Sequence, residues 1–248
     1  MRAGVAVLLG VVALVTACGS GIPPEGDAVA TNSGTVRAEP PSVESASAST
    51  PGLEAALWAA VAANDPVAVR KSLARGAAIE ARDDAGRTPL VAATKANAVA
   101  VAAALIDAGA DVNAKDAMQD SAFLYAGAEG LNEILALTVT HGADVRSTNR
   151  FGGTALIPAA EHGHVEAVRT LIRAGVPVNH VNDPGWTALH EAILYGDGSS
   201  RYVDVVSQLL AAGADPSIRD ARGRTALHNA QLSGQSDIAA LLTARDGN

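Results

Sequence analysis

The 248-residue chain contains a single cysteine, Cys18. It can form no disulfide within itself, and the lack of further thiols argues against a thiolate zinc site. Aromatic residues make up only 3% of the sequence, although 48% of it is hydrophobic. Much of that apolar content is Ala and Val, which argues against one large core built on aromatic rings and fits many small, closely packed helices. Basic runs are missing too. With 18 Lys and Arg against 26 Asp and Glu, the formal net charge is -8. No clustered basic face is available to neutralise phosphates, so nucleic acid is not an expected partner.

Only one extended apolar run occurs at the N-terminus, residues 3–15, behind Arg2. A helix that spans a bilayer takes roughly 20 apolar residues, so this run suits the hydrophobic region of an export signal. Thr16 and Ala17 precede Cys18, and the resulting "VTAC" resembles a bacterial lipobox. The resemblance implies a signal peptide over 1–17, cleavage before Cys18 and diacylglycerol on its sulfur. The mature protein would then sit in the bacterial cell envelope, lipid-anchored to a membrane through Cys18 and facing outside the cytoplasm. An ordinary secretory signal with a chance cysteine, or an uncleaved anchor, would use the same residues. Gly19 stands where an aspartate would resemble an inner-membrane retention signal, which leaves the type of envelope open.

Residues 19–51 hold five of the chain's 11 prolines among Ser, Thr, Ala, Gly and isolated charges, with no helical or strand period. This composition predicts a disordered tether over 18–51 that spans roughly 30 Å root-mean-square as a flexible coil.

Beyond Pro51 the sequence repeats itself. "GRTPL" at 86, "QDSAF" at 119, "GGTAL" at 152, "GWTAL" at 185 and "GRTAL" at 223 start 33, 33, 33 and 38 residues apart. Gly76, Gly109, Gly142, Gly175 and Gly213 keep the same spacings. Two independent markers share one period and one exception, which is the mark of a repeat architecture. Thr88-Pro89 reads as a helix N-cap followed by proline at the first helical position. Val165, Val168, Leu171 and Ile172 mark one buried face of a second helix, and the glycine series suits left-handed residues that end helices.

With "GWTALHEA", "GRTALHNA" and "AAEHGHVEAVRTLIRAG", the unit resembles the ankyrin repeat over residues 53–244. The resemblance implies an all-α solenoid of stacked helix-turn-helix units with projecting β-hairpin-like finger loops. The domain would occupy 52–248, as an N-terminal cap pair at 53–75 plus five repeats. His190 and His228 fall on the signature histidine, which in the family bonds to backbone and ties neighbouring repeats together. "HEAIL" lacks the second histidine of a zinc-protease helix. His164 belongs to the inter-helix turn, and only His162 beside it is at a variable position. Outside positions that the repeat explains, the sequence shows no phosphate loop, serine nucleophile elbow or paired-carboxylate constellation.

Two departures from the pattern stand out. Five extra residues lie between Gly196 and Gly213, in or beside "DGSSRY", as a neutral insertion in a turn or a recognition loop that places Tyr202. Gln119 replaces the finger glycine. If that position needs positive φ, the replacement costs on the order of 1 kcal/mol and makes "MQDSAF" the softest part of the stack.

The repeat does not require Trp186, Phe151 or Tyr195, and all three fall at positions expected to be exposed, where aromatic residues mark either binding or packing between fingers. The resemblance therefore implies a protein partner on a concave surface. Its expected contacts are Arg87, Lys115, Met118, Asp120, Arg150, Phe151, Trp186, Arg222 and Arg224 on fingers, and Lys95, Glu129, Glu161, His162 and Tyr195 on inner helices. An envelope enzyme that needs support or a toxin that needs neutralising would fit as partner. The other readings are a passive spacer and, from another class, an enzyme or a binder of small molecules or metal. No cofactor or enzymatic activity is expected, and a capped array of this kind is expected to be a monomer.

Overall fold

The computed structural model describes residues 51–246. The expected signal peptide, Cys18 and the tether up to residue 50 lie outside the described residues. Twelve helices follow in pairs: α1 (Pro51–Ala62) with α2 (Pro66–Ala74), α3 (Pro89–Lys95) with α4 (Val99–Asp107), and α5 (Ala122–Ala128) with α6 (Asn132–Thr140). Then come α7 (Leu156–Glu161) with α8 (Val165–Arg173), α9 (Ala188–Leu194) with α10 (Ser200–Ala211), and α11 (Ala226–Leu232) with α12 (Ser236–Asp246). Odd-numbered helices pack on odd-numbered neighbours and even on even, giving an inner and an outer layer. The described residues form an all-helical repeat solenoid.

Local chemistry sets the ends of the helices. Thr88, Ser121, Thr187 and Thr225 each accept a hydrogen bond at the side-chain oxygen from the N–H three residues on, at 3.2–3.3 Å. An N-cap of this type contributes about 1 kcal/mol. Pro158 breaks the series, having no N–H to return to the Thr154 carbonyl. α7 is only 6 residues long, and Thr154 Oγ1 is buried without a partner. An isolated antiparallel bridge, Thr148 to Thr154, is all that the β-hairpin-like fingers amount to among the described residues. Gly76, Gly109, Gly142, Gly175 and Gly213 all adopt φ between 84° and 94°, as their place at helix ends requires. Of the helical face over 165–172, Val168 and Leu171 are fully buried, whereas Val165 and Ile172 are half-buried at its margin.

The five-residue insertion divides between two places. α10 has 12 residues where α8 has 9, and the rest lengthens the turn before it. Tyr202 is not on a recognition loop. It is buried, with its hydroxyl donating to the Glu161 carbonyl at 2.9 Å and its ring over Gly163. His164 covers Gly130 in the preceding unit in the same manner, so the insertion shifts the packing residue without abolishing it.

Gln119 has φ 63°, the left-handed conformation that its glycine counterparts adopt. The finger around it is nevertheless braced, because Lys95 Nζ bonds Asp116 at 2.7 Å and Asp120 at 2.9 Å. Replacing Gln119 by Gly should relieve the backbone strain and, after the entropy cost of a freer unfolded chain, raise stability by about 0.5–1 kcal/mol. Urea unfolding of the two forms checks this through an increased midpoint at unchanged slope.

Candidate functional site

Each finger is closed by one side-chain oxygen. Oδ1 of Asp83, Asp116, Asn149, Asn182 and Asp220 accepts the backbone N–H four residues on at 2.8–3.0 Å. In four of the five it also accepts the N–H two residues on, from Ala85, Met118, Phe151 and Arg222. Pro184 has no N–H to give at the fifth. These residues repeat at 33, 33, 33 and 38, a third periodic series that sequence reading overlooked although its spacing was available.

The turns line up the finger tips beside the inner helices and leave a groove of about 580 Å³ between them. Ten of the expected contact residues line it: Lys95, Met118, Asp120, Glu129, Arg150, Phe151, Glu161, His162, Trp186 and Tyr195. Met118, Phe151 and Tyr195 are 50%, 52% and 54% exposed. Trp186 is half-buried rather than exposed, because its ring meets Tyr195 edge-on with centroids 5.8 Å apart. The Arg150 guanidinium lies over Phe151, 4.5 Å from the ring centroid.

The other expected contacts do not reach the groove. Arg87 and Arg224 fold back on their own finger carboxylates, Asp83 at 2.6 Å and Asp220 at 3.0 Å. Lys115 Nζ donates to the Thr148 carbonyl of the next finger at 2.7 Å. Arg222 is exposed and lies outside the groove lining. Asp120 lines the groove but is already paired with Lys95.

Glu191 and Tyr125 were not anticipated. Glu191, on α9, is only 6% exposed and lines the groove. Its Oε1 accepts from Asn182 Nδ2 at 2.9 Å. Burial, and then the neighbouring Glu161 carboxyl, push Glu191 up to about 7. Glu161 from α7 and Glu191 from α9 thus stand on one wall of the groove, a neighbourhood that the sequence did not show. Tyr125, at the equivalent place on α5, is half-buried beside Lys95 Nζ, 5.1 Å from its ring centroid.

His190 is buried behind this surface. Its Nδ1 accepts the Thr187 backbone N–H at 3.2 Å, while the His190 N–H donates to Thr187 Oγ1. That places the ring proton on Nε2. Nε2 faces the Ile218 carbonyl of the next finger without closing a full hydrogen bond. Burial holds the imidazole below its usual pKa, in the neutral form. His228 differs from the expected structural role. It is exposed, and no finger covers it among the described residues. His162 Nδ1 lies 2.9 Å from the Ala128 carbonyl, and its ring meets His164 edge-on at 5.5 Å. Among the described residues no three His, Cys, Asp or Glu side chains group as a metal would need.

Because folding raises the Glu191 pKa, the folded chain holds a proton between about pH 4.5 and 7 that the unfolded chain has lost. Stability should therefore fall as pH rises through this window and stay reduced above it. Glu191→Gln can keep the Asn182 hydrogen bond without the charge. It should be more stable than the parent by on the order of 1–3 kcal/mol near pH 8 and close to neutral in effect near pH 4.5. Urea unfolding across that range checks the sign, and an equal effect at both ends would contradict it.

A family model described as ankyrin repeats, in three copies, matches residues 123–220, and a single ankyrin-repeat model matches residues 85–117. No curated protein matches the chain. Among solved structures, an ankyrin repeat domain from Acinetobacter baumannii AYE is 55% identical, with TM-score 0.74, covering 76% of this chain and 96% of that one. The ankyrin-repeat protein EF0377 is 41% identical, with TM-score 0.74, covering 77% and 97%. Ankyrin repeats are typically non-enzymatic interaction modules. Periodic fingers, paired helices and a laterally open groove agree with these matches, and the chain belongs to the ankyrin-repeat family.

Proposed function

We propose that this protein is a lipid-anchored, extracytoplasmic binding module, and that it grips a partner protein in the groove between its fingers and inner helices. The observation that carries this reading is the convergence of Phe151, Trp186 and Tyr195 on one groove, in a chain with only 3% aromatic residues. Neither the cap nor the core requires them there. Trp and Tyr dominate binding hot spots because they bury a large area at little entropic cost. Arg150 and Glu129 on the same surface supply steering. The anchor rests on the export-signal pattern ending at Cys18. The partner is an envelope enzyme that the array supports or a toxin that it neutralises. The chain acts as a monomer, without cofactor or catalysis.

Affinity capture from the native envelope tests the groove. The parent should retain one specific partner, and Phe151→Ala/Trp186→Ala should lower that affinity at least about tenfold while keeping its helical circular dichroism. Equal capture by both would sink the aromatic site, and no specific partner for either would favour a spacer. The anchor has its own test. Labelled palmitate should enter the parent chain in a bacterial host and fail to enter Cys18→Ala, whereas labelling of both would put the lipid elsewhere.

A further inference from the structure

Aromatic area explains why the groove binds and leaves open what it selects. Resting on the reading above, the chemistry at the end formed by α7 and α9 answers that question. Two carboxyl groups converge there. Glu191 is almost wholly buried, with one oxygen held by the Asn182 amide, and Glu161 lines the same groove beside it. Neither takes part in an ion pair among the described residues, whose pairs are Arg87–Asp83, Lys95–Asp116, Lys95–Asp120, Arg169–Glu166 and Arg224–Asp220. Lys95 is held by its two aspartates and Arg150 lies over the Phe151 ring, and neither pairs with Glu161 or Glu191.

The fold does not require an acid at this place. Positions equivalent to Glu191 in the other units hold Ala92, Tyr125, Pro158 and Asn229. An unneutralised buried carboxylate is costly, so its presence on a groove wall asks for a compensating charge. Trp186 and Tyr195 line the same end, and aromatic faces attract cations. An anion would be repelled, and a neutral apolar group would seal the carboxyl groups in without compensation.

We propose that this end of the groove receives one lysine or arginine side chain of the partner protein, its charge beside Glu161 and Glu191 and its stem against Trp186 and Tyr195. Entry of the cation favours the ionised Glu191 carboxylate, whose proton passes to solvent, so binding strengthens as pH rises. The groups that face Glu191 are Glu161 from α7, with His162 following it, Tyr195 from α9 and the neutral Asn182 from the finger. Asp220, on the finger before α11, acts on His190 instead.

The chain has two tryptophans, so the indole N–H signals of Trp186 and Trp58 can be followed separately by NMR on the full chain in detergent, assigned with Trp186→Phe. The probes are Nα-acetyl-lysine methylamide and Nα-acetyl-arginine methylamide, against the neutral Nα-acetyl-norleucine methylamide. The charged amides should shift the Trp186 signal with a dissociation constant of the order of mM, and leave Trp58 in place. The norleucine amide should bind at least about tenfold more weakly, and the charged amides about tenfold more weakly near pH 5.5 than near pH 8. Glu161→Gln/Glu191→Gln should remove most of the binding with unchanged circular dichroism. Glu161→Gln alone, at the half-exposed site, should weaken it in the same direction if the double variant does not fold. No shift of Trp186 up to about 50 mM amide, equal binding of norleucine, or full binding by a folded glutamine variant would each overturn the cation site. Those results with partner capture intact would leave the binding module standing, whereas amide binding without any captured partner would overturn the protein-partner reading alone.

Discussion

The Oδ1 atoms of Asp83, Asp116, Asn149, Asn182 and Asp220 set the course of the chain between one helix pair and the next. Each draws in backbone N–H groups that would otherwise find no partner at a reversal, and in all but the Asn149 finger the Thr or Ser that follows caps the next helix. A single such hydrogen bond contributes about 1 kcal/mol net. In a stack where every unit depends on its neighbours, five of them in register also fix the spacing of the whole surface. The remaining atom of each side chain is then free for other work. In Asp83 and Asp220 it anchors an arginine, in Asp116 a lysine, and in Asn182 it becomes a donor and holds Glu191. One structural device thus serves bracing in three units and the groove in a fourth.

This division explains why charged residues at similar places on the fingers have different fates. Asp220 has its pKa raised by burial, yet the Arg224 N–H, the Asn229 amide and the Arg224 guanidinium outweigh that and hold it well below the usual carboxylate range. Asp116 is held ionised in the same way by Lys95 against the effect of burial. Glu191 has one neutral donor and a like-charged neighbour, and its pKa moves the other way. Paired charges close the fingers, whereas Glu161 and Glu191, in no ion pair among the described residues, line the groove.

The repeat was legible because left-handed turns leave a glycine at a fixed interval and a helix cap leaves a threonine at a fixed distance from it. Gln119 reads correctly for the same reason, since its neighbours in the series show what its backbone must do. The aromatic cluster was legible by subtraction, as residues that the repeat has no use for. The Glu161–Glu191 pair was not. Its members lie thirty positions apart on two helices, and the inward tilt of one is set by Asn182, which looks like any other loop residue in the sequence. Arg87, Arg224 and Asp120 were assigned to the surface on sign and position, but each had an opposite charge within reach. Tyr202 appeared to belong to an insertion because alignment on Gly196 conceals that it stands in the place of His164.

That displaced tyrosine has a consequence for assembly of the fold. Near-identical repeats can dock out of step, each unit accepting the wrong neighbour or one from another molecule, and misassembly of this kind is a characteristic failure of repeat arrays. The longer α10 brings the ring of Tyr202 to the turn at Gly163, in the place of a histidine of the kind that covers Gly130. The irregular unit therefore gives a periodic chain one junction that differs from the rest.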